Sequence, residues 1–504
     1  MKHPPAMQDR PLRSDSSDAT GPIILRLAPE VTTKSRRTRH WFSTVLRRNI
    51  EDALKRADIP HEVSTAWSRI FVHTPAPAAA LGTLRRVFGI GSLSPVDAIC
   101  EATLDAIVGT GGALYAEQVR GRTYAVRAKR LGPCGFSHMD VERQLGAALN
   151  ADARVDLERP DITVFVEIID GKAYFFTQRI AGAGGLPTGI QGRALVLISG
   201  GFDSAVAAWR IMRRGVEVDY LFCNLGGSAY ERLVLQVVKV LSEAWGFGQQ
   251  PKFHIIDFAP VLDALRGSVD RSYWQVVLKR LMYRAGAEVA SEIDASALVT
   301  GEAIGQVSSQ TIKNLCAIDA CVELPVLRPL IAMEKQEIVD EALRIGTAPL
   351  SARIAEYCAI ASGHPVVACS KTRLDRQEAR LDLAVLTEAV SSRKVIDVNA
   401  VTAADLRTPY LFVDRIPADA TLIDCQAEHL YAAWHAPDAE HHDPDELLRE
   451  HRRRLEKGRP YVLYCTWGTR TPYLAEVLQQ SGYEVYAFDG GVKALRAYLE
   501  RRAA

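Results

Sequence analysis

Residues 194–204 of this chain read Ala-Leu-Val-Leu-Ile-Ser-Gly-Gly-Phe-Asp-Ser. The apolar run at the start predicts a buried strand, and residues 205–214 predict a helix directly after it. Between these two elements, Gly200 and Gly201 have no Cβ, so the chain can turn sharply and bring its amide N–H groups against an anion. The following helix directs its positive end at the same point. The stretch therefore predicts a strand, a phosphate-binding loop and a helix.

The two best-known phosphate loops do not fit this stretch. It has no Lys at the GxxxxGK[ST] spacing, and no GxGxxG matches a dinucleotide loop. The segment Ser199–Ser204 instead resembles the pyrophosphate loop, or PP-loop, of enzymes that split ATP between its α and β phosphates and transfer AMP to a substrate oxygen. An ordinary βα turn of small residues is the alternative. Because Ser, two Gly, Asp and Ser all fall where a strand meets a helix, we expect an adenylating enzyme.

A second segment is expected at the same site. Residues 299–303 (VTGEA) end another predicted strand, and 305–311 (GQVSSQT) follow it. Since the carboxyl ends of strands in an open α/β sheet meet in one crevice, both segments should face the same nucleotide as the loop. Lys279, one helix earlier, is a candidate for the positive charge that the loop lacks, with a solvated helix residue as the alternative. Asp203 is a candidate ligand for Mg²⁺ on the pyrophosphate.

A reactive segment near the C-terminus, residues 461–471, reads YVLYCTWGTRT. It predicts an apolar strand ending at Cys465, a short loop and a helix. A Cys in this place lies over backbone N–H groups at a helix N-terminus, which stabilise a thiolate. Such a sulfur can carry a second sulfur as a persulfide; a buried structural Cys is the alternative. With Asp424 closing an earlier strand and Gly490-Gly491 following a later one, the segment resembles a rhodanese domain.

Two basic clusters lie in the first third of the chain, although its net charge is only +1. The first, between residues 31 and 48, has six basic residues, no acidic residue and the interleaved His40-Trp41-Phe42. The second lies at 120–130, along a predicted strand. Solvated surface charge is the alternative, but two clusters in one region favour nucleic-acid binding. The residues predicted to contact RNA are Lys34, Arg36, Arg37, Arg127, Lys129 and Arg130.

The composition, with 48% hydrophobic and 24% charged residues, is typical of a globular protein. No apolar run approaches the roughly 20 residues of a membrane span. Residues 1–20 lack the apolar core of a signal peptide. We therefore predict a disordered leader, no membrane association and a cytoplasmic location.

The nine cysteines are odd in number and scattered, which argues against a secreted disulfide framework. Cys316 and Cys321 have no partner pair and no CxxC occurs, so we predict neither zinc nor an iron–sulfur cluster, and no metal beyond Mg-ATP. Cys425 follows Asp424 where many rhodaneses have Arg, and it receives no role. Cys358 lies in a predicted loop and, by composition alone, is an ordinary structural Cys.

The order of predicted elements indicates a multidomain α/β chain. The predicted limits are a leader at 1–20, an α+β module at 21–80, a second at 81–185, a doubly wound parallel-sheet domain at 186–390, a linker at 391–403 and a further α/β domain at 404–504. Within them we expect a helix at Pro95–Val108, a helix end and turn at Gly109–Gly112, a Gly-rich linker at Ala181–Gly192 and a charged helical connector at Lys371–Lys394.

Together these motifs resemble those of the bacterial tRNA 4-thiouridine synthetases, tRNA uridine 4-sulfurtransferases that are also associated with thiamine-thiazole sulfur transfer. The shared segments are 197–204 (LISGGFDS), 224–227 (NLGG), 300–311 (TGEAIGQVSSQT) and 356–358 (EYC). The resemblance covers essentially the whole chain after residue 20. It implies, in order, an N-terminal ferredoxin-like domain, a THUMP RNA-binding domain, a PP-loop ATP pyrophosphatase domain and a rhodanese domain.

The resemblance also implies roles for individual residues. Cys465 would carry the persulfide, Cys358 would be its disulfide partner and Asp203 would act in adenylation. The residues placed in the ATP site are Leu197, Ile198, Ser199, Gly200, Gly201, Ser204, Lys279, Gly301 and Gln310.

The implied reaction adenylates the uracil C4 oxygen of a tRNA uridine, expected at position 8, and then transfers persulfide sulfur to C4. The sulfur arrives either directly from the persulfide or as sulfide released by Cys358. Both routes leave a disulfide, so an external reductant is needed. The implied partners are tRNA, a cysteine desulfurase as sulfur donor and the thiamine-biosynthesis sulfur carrier protein; the oligomeric state, a homodimer included, stays open.

Two other functions fit parts of the sequence. A PP-loop amide or nucleotide synthetase that uses ammonia would account for the ATP loop, but no glutaminase segment is evident and a rhodanese domain would have no role in it. A sulfur relay to the small carrier protein for thiazole synthesis would account for the rhodanese domain. This relay can coexist with tRNA thiolation.

Overall fold

A computed structural model describes residues 21–66, 68–352, 354, 365–402, 405–406, 411–426, 428–466 and 471–503. The predicted leader at 1–20 falls outside this set. The chain divides after Pro187 into an N-terminal unit and a C-terminal unit. Among the described residues, no helix combines the length and the apolar character that crossing a membrane requires.

The N-terminal unit contains two five-stranded sheets. Its elements in chain order are β1 (Ile23–Leu27), α1 (Pro29–Thr32), α2 (Arg36–Arg56), β2 (Glu62–Ala66), β3 (Arg69–His73), α3 (Pro77–Leu84), β4 (Ile90–Pro95), β5 (Ala98–Glu101), α4 (Leu104–Val119), β6 (Thr123–Leu131), α5 (His138–Leu149), β7 (Arg154–Val155), β8 (Ile162–Ile169), β9 (Lys172–Phe176) and β10 (Ile180–Ala181). The first sheet has the antiparallel order β10-β4-β1-β3-β2. The second has the order β5-β9-β8-β6-β7, in which β6 pairs in parallel with β7 and β8.

Helix α2 illustrates how the sequence forms these elements. Ser35 caps it by accepting the Thr38 amide N–H, which satisfies one donor of the first turn. Its apolar residues, among them Phe42, Leu46 and Ile50, recur every three or four positions and are buried. The first basic cluster lies on the opposite, exposed side.

A buried ion cluster connects the two sheets of this unit. The Glu167 carboxylate in β8 accepts hydrogen bonds from Arg26 Nε in β1 and from Arg69 Nε in β3, each at 2.8 Å. All three side chains are 6–7% exposed. Ile24 and Ile169 pack in the same region. Because the Glu167 carboxylate of the second sheet binds two arginines of the first sheet, it links the two small domains of this unit.

Several predicted elements of this unit are wrong. The helix expected at Pro95–Val108 is instead the end of β4, strand β5 and the first turn of α4, because Thr103 caps α4 by accepting the Ala106 amide N–H. The turn expected at Gly109–Gly112 lies inside α4. Gly111 allows α4 to pack closely against Leu145, since a Cβ at this position would lie 2.7 Å from Leu145 Cδ1.

The predicted Gly-rich linker at Ala181–Gly192 is also partly ordered into the first sheet. Strand β10 ends at Ala181 and pairs with β4. The Gly182 and Gly184 amides then donate to the carbonyls of Gly91 and Ile90. The segment therefore completes the first sheet before the chain leaves this unit.

The C-terminal unit contains a six-stranded and a five-stranded sheet. Its elements in chain order are β11 (Arg193–Leu197), α6 (Phe202–Met212), β12 (Glu217–Asn224), α7 (Gly227–Trp245), β13 (Lys252–Asp257), α8 (Ala259–Ser268), α9 (Trp274–Glu292), β14 (Leu298–Val299), α10 (Ile312–Asp319), β15 (Val326–Leu327), α11 (Lys335–Ile345), α12 (Ala348–Ser351), α13 (Lys371–Glu378), α14 (Ala384–Ser391), β16 (Lys394–Asp397), β17 (Phe412–Val413), β18 (Thr421–Asp424), α15 (Glu428–Ala433), β19 (Glu440–His441), α16 (Pro444–Arg454), β20 (Pro460–Tyr464), α17 (Thr471–Gln480), β21 (Glu484–Phe488) and α18 (Gly491–Ala503).

The six-stranded sheet has the order β15-β14-β11-β12-β13-β16. All neighbouring strands run in parallel except β16, which is antiparallel to β13. This confirms the predicted parallel sheet around the loop after β11. The order places the ends of β11, β12 and β14 side by side.

The segment predicted as a charged helical connector, Lys371–Lys394, is helical but packs within this domain, whose predicted limit at 390 already included most of it. Its two helices α13 and α14 bury Leu374, Leu386 and Val390 in the same core as α8 and α9. The linker predicted at 391–403 contains β16, which adds an edge strand to the sheet. The difference arises because a charged helix can still bury one apolar stripe, which composition does not show.

The five-stranded sheet has the order β17-β21-β20-β18-β19, and its neighbouring strands pair in parallel. Its helix α17 is buried on two sides. Leu474 and Leu478 face the core of the sheet. Pro472 and Glu476 are buried on the other side, where α17 packs against α7 of the six-stranded domain.

Candidate active site

A cavity of about 230 Å³ opens where β11, β12 and β14 end. Most residues predicted for the nucleotide site line it, namely Leu197, Ser199, Gly201, Asp203, Ser204, Lys279, Gly301 and Gln310. Ile198 and Gly200 belong to the same loop but do not line the cavity. The structure therefore brings the PP-loop and the 300–310 segment together as the sequence predicts.

The loop after β11 is fixed by hydrogen bonds from small hydroxyl side chains. Ser204 Oγ accepts the Ser199 amide N–H and donates to the Gly201 carbonyl, both at 3.2 Å. Ser351 Oγ donates to the Gly200 carbonyl at 2.8 Å. Gly200 has a φ of +80°, and a Cβ there would lie 2.4 Å from Ile354 Cδ1. Both the turn and the space therefore require glycine.

Gly301 has a different reason to lack a side chain. A Cβ at this position would lie 2.6 Å from both the Asp203 carbonyl carbon and the Ser204 amide nitrogen. The end of β14 and the first turn of α6 thus meet backbone against backbone. This close approach shapes the floor of the cavity.

Asp203 sits at the start of α6 between two partners that were not predicted from the sequence. Lys335 Nζ lies 2.8 and 3.0 Å from its two carboxylate oxygens, and Gln306 Nε2 donates to Oδ2 at 2.8 Å. Gln306 lies within the 305–311 segment that the motif already marks. Lys335 begins α11 without any motif around it, so only the fold reveals it.

Lys279 forms an ion pair at the cavity wall. Its Nζ donates to Glu302 Oε1 at 2.6 Å. The other oxygen, Glu302 Oε2, accepts from the Tyr283 hydroxyl at 2.6 Å and from Arg328 Nε at 2.9 Å. Burial raises the pKa of Glu302, but the charges of Lys279 and Arg328 outweigh it and lower that pKa to about 2. Burial beside this carboxylate raises the pKa of Tyr283 well above its ordinary value, so the phenol stays protonated.

The predicted sulfur carrier Cys465 directly follows β20 and is 5% exposed. Its Sγ lies 4.0 Å from the hydroxyl of Thr471, the first residue of α17. Residues 467–470 of the predicted loop fall outside the described part of the chain. Cys358, its predicted disulfide partner, is also in a segment, 355–364, that the structure does not describe.

Cys425 lies next to Cys465 in the same sheet, because β18 pairs with β20 and both cysteines follow these strands. Both belong to one buried cluster. Burial, and then the neighbouring thiol of Cys465, raise the pKa of Cys425 well above its ordinary value. Cys425 is therefore a protonated core thiol.

The predicted RNA-binding residues are exposed in the N-terminal unit. Arg127, Lys129 and Arg130 lie on β6. Arg127 donates to the Leu157 carbonyl at 2.6 Å, and Arg130 donates to the Phe136 carbonyl at 2.7 Å. The other three, Lys34, Arg36 and Arg37, surround the start of α2.

Comparison with protein-family models matches the chain in four consecutive segments. Residues 22–94 match the ThiI ferredoxin-like domain, and 101–178 match the THUMP domain. Residues 189–383 match "Thiamine biosynthesis protein (ThiI)", and 408–498 match the rhodanese-like domain. These matches confirm the predicted fold class and the order of the domains.

Curated relatives match over nearly the full length. A tRNA sulfurtransferase of Desulfurococcus amylolyticus is 38% identical over 95% of this chain and 99% of the relative. One of Marinobacter nauticus is 36% identical over 92% and 99% of the two chains. Among solved structures, a 4-thiouridine synthetase in complex with RNA and bound ATP is 28% identical, with a TM-score of 0.66, over 75% of this chain and 99% of that one.

The fold, with a PP-loop domain joined to a rhodanese domain, and these matches define the class of protein as a sulfurtransferase enzyme. The chain belongs to the tRNA sulfurtransferase family, also called the ThiI family. The predicted family resemblance is thereby confirmed.

Proposed function

We propose that this enzyme uses ATP to activate a tRNA uridine, and replaces the uracil C4 oxygen with sulfur carried by Cys465. One observation carries the proposal. Helix α17, which begins beside Cys465, packs against α7, and Gly226 and Tyr230 at the start of α7 line the PP-loop cavity. The sulfur-bearing domain therefore contacts a helix whose first turn lines the proposed nucleotide site.

The cavity offers matching surfaces for a nucleotide. Its polar side has the loop amides at the start of α6 and the ammonium group of Lys279 for phosphates. Its apolar side includes Leu197, Phe222 and Met282 for a flat base. The solved relative that holds ATP supports this assignment.

The first step in this proposal is adenylation. The uracil C4 oxygen attacks the α phosphorus, the bond to the β-phosphate oxygen breaks and pyrophosphate leaves. The C4 oxygen, otherwise a poor leaving group, then departs as AMP. Asp203 and Lys335 lie at the loop where the phosphates would bind.

The second step is sulfur transfer. The Cys465 thiolate takes a sulfur atom from the persulfide of a cysteine desulfurase, and the terminal sulfur of its own persulfide attacks C4 as AMP leaves. Cys358 then attacks the Cys465 sulfur, which leaves the transferred sulfur on C4 and forms a Cys358–Cys465 disulfide. In the alternative order, Cys358 first releases sulfide, which attacks C4. An external reductant restores both thiols.

Mg²⁺ would arrive with the phosphates of ATP, where it neutralises phosphate charge. Within the described residues, no group of three metal-binding side chains occurs. Asp203 is the carboxylate at the loop, and both of its oxygens already have nitrogen partners. Asp203 would thus be the carboxylate that the loop offers, in keeping with a metal held mainly by phosphates and water.

The N-terminal unit would bind tRNA through its two basic surfaces, as its THUMP match and the RNA-bound relative support. A second use of the same persulfide, donation to the thiamine-biosynthesis sulfur carrier protein, is favoured by the family description at 189–383. Both uses draw on Cys465.

The test separates adenylation from sulfur loading. Asp203→Ala or Lys279→Ala should lower tRNA-dependent pyrophosphate release by about 100-fold or more, as expected when a group that stabilises transition-state charge is removed. Persulfide formation on Cys465 should remain, because that chemistry occurs in the rhodanese domain. Pyrophosphate assays and mass spectrometry of the protein read out the two steps.

Cys465→Ala is the matched control, and it should keep pyrophosphate release while losing 4-thiouridine. Normal thiolation by Asp203→Ala would refute the proposed adenylation site. Absence of 4-thiouridine in tRNA treated with the wild-type enzyme, ATP, desulfurase and reductant would refute the function itself.

A further inference from the structure

Glu302 is a buried carboxylate at the wall of the cavity, and its two oxygens are used unequally. It is 5% exposed. Among the residues that the structure describes, Lys279 is the one donor to Oε1. Oε2 accepts three hydrogen bonds, from Tyr283, from Thr300 at 3.1 Å and from Arg328.

Without Lys279, Glu302 would still be paired with Arg328, and this one guanidinium would then face two carboxylates. Arg328 also pairs through both terminal nitrogens with Asp319. Tyr283 and Thr300 are neutral donors that belong to the fold. If Lys279 turned away from Oε1, Glu302 would keep one buried cation and two neutral hydrogen bonds on Oε2, so it would not become an unpaired buried charge.

Glu302 holds the Lys279 ammonium group at the wall of the cavity in which a phosphate would bind. Lys279 and Tyr283 lie four residues apart on α9, so one face of the helix presents both to Glu302. The Lys279 side chain is 16% exposed and lines the cavity. A free lysine would lose rotamer entropy on binding, whereas an ammonium already fixed at the wall has lost it during folding.

We propose that Glu302 is the positioning residue for Lys279: it holds the ammonium at the cavity wall for the nucleotide phosphates, and Arg328, Tyr283 and Thr300 hold the carboxylate in place. This proposal rests on the proposed function in one respect, which is that ATP is the ligand of the cavity. Glu302 itself does not touch the nucleotide. Its effect on ATP binding must therefore disappear when Lys279 is removed.

A double-mutant cycle tests this dependence. ATP affinity is measured by isothermal titration calorimetry for the full-length wild type, Glu302→Gln, Lys279→Met and the double variant. Glu302→Gln should weaken ATP binding by about 10-fold, and Lys279→Met by at least as much. The double variant should bind ATP no more weakly than Lys279→Met alone, because Glu302 acts through that lysine.

Glu378→Gln is the matched control. Glu378 is also 5% exposed and accepts hydrogen bonds from Arg284 on the same helix α9, but it does not line the cavity. Its substitution should lower stability and leave ATP affinity unchanged. If Glu302→Gln does not fold, Glu302→Asp replaces it in the cycle, since its shorter carboxylate keeps the charge but lengthens the distance to Lys279.

The outcomes are distinct. Additive effects in the double variant, or wild-type ATP affinity in Glu302→Gln, would overturn the positioning role. A loss of affinity in Glu378→Gln as large as in Glu302→Gln would assign the effect to lowered stability and also overturn it. Failure of the wild type to bind ATP would instead refute the proposed ligand of the cavity.

Discussion

Cys465 and Cys425 occupy equivalent positions after two neighbouring parallel strands, and we expect their chemistry to differ. Cys465 is followed by α17, which begins at Thr471, and it leads into the predicted persulfide loop. Cys425 is enclosed by the core, and burial raises its thiol pKa. Because the thiolate is the nucleophile, a thiol kept protonated is a poor partner for exchange. The two cysteines can therefore be distinguished experimentally.

We expect Cys465→Ala to abolish sulfur acceptance from a desulfurase, and Cys358→Ala to accept sulfur but stop after a single turnover. After one turnover without reductant, peptide mapping of the wild type should show a Cys358–Cys465 disulfide. Cys425→Ala should retain multiple turnovers, since its thiol has no step to perform. A Cys425–Cys465 disulfide in the wild type would show that Cys425, not Cys358, is the resolving residue.

The residues of the candidate site were predictable to different degrees. Asp203, Gly301 and Gln310 were found because each lies in a segment whose order of small and polar residues is unusual at a strand end. Lys335 was missed, since its partner is distant in sequence and α11 has no motif. The pairing of Lys279 with Glu302 also needed the fold, which brings α9 beside the end of β14.

At the scale of single elements, the two halves of β6 differ in burial. Its first half, Tyr124–Val126, is buried in the second sheet, whereas Arg127, Lys129 and Arg130 are exposed. Two of these arginines donate to backbone carbonyls of neighbouring loops. Such contacts hold the guanidinium groups in place, so we expect them to bind phosphates without much further ordering.

Charge reversal of Arg127, Lys129 and Arg130 to Glu should weaken tRNA binding and reduce the slope of log K against log salt by about 1 for each phosphate that is no longer neutralised. Filter binding or fluorescence anisotropy over a salt series measures both. The control reverses three exposed arginines of the other unit, Arg452, Arg453 and Arg501, which gives the same change in net charge. Equal effects of both sets would mean that overall charge, not this strand, governs binding.

Helices and strands were predicted well where the pattern of hydrophobic residues was strong. They were predicted poorly where only the amino-acid composition of a segment was used. Strand β11 was predicted well because residues 194–198 form an unbroken apolar run. Segment 371–394 was misassigned as a connector, since many charged residues conceal the stripe that α13 and α14 bury. The β5–α4 boundary depended on the Thr103 cap, which a fixed-period pattern does not detect.

At the scale of the whole molecule, each unit combines two domains that share buried contacts. In the N-terminal unit the shared contact is the Glu167 carboxylate with Arg26 and Arg69. Burial raises the pKa of Glu167, but the hydrogen bond from Arg69 and the charges of both arginines outweigh it and lower that pKa. The ionised carboxylate therefore stabilises the fold above the unfolded pKa, and this contribution disappears as pH falls through the folded pKa.

Glu167→Gln should destabilise the N-terminal unit by about 3 to 5 kcal/mol, because it leaves two buried guanidinium groups without their carboxylate. Hydrogen–deuterium exchange of peptides from β1, β3 and β8 should become faster, while peptides from α9 and α13 stay unchanged. The variant should also lose the acid sensitivity of these N-terminal peptides below about pH 4.5. Unchanged exchange in all three strands would show that the ion cluster does not join the two domains.

The Glu167 cluster also has a consequence for how an RNA is selected. It links the domain that contains α2 to the domain that contains β6, so we expect the two basic surfaces to keep a constant separation. Once a phosphate run occupies one surface, binding to the second is intramolecular and is governed by an effective concentration. An RNA whose folded shape spans both surfaces gains this avidity, and one that is too short or too flexible does not. On the proposed function, the N-terminal unit would thus select the shape of an RNA before any base is read.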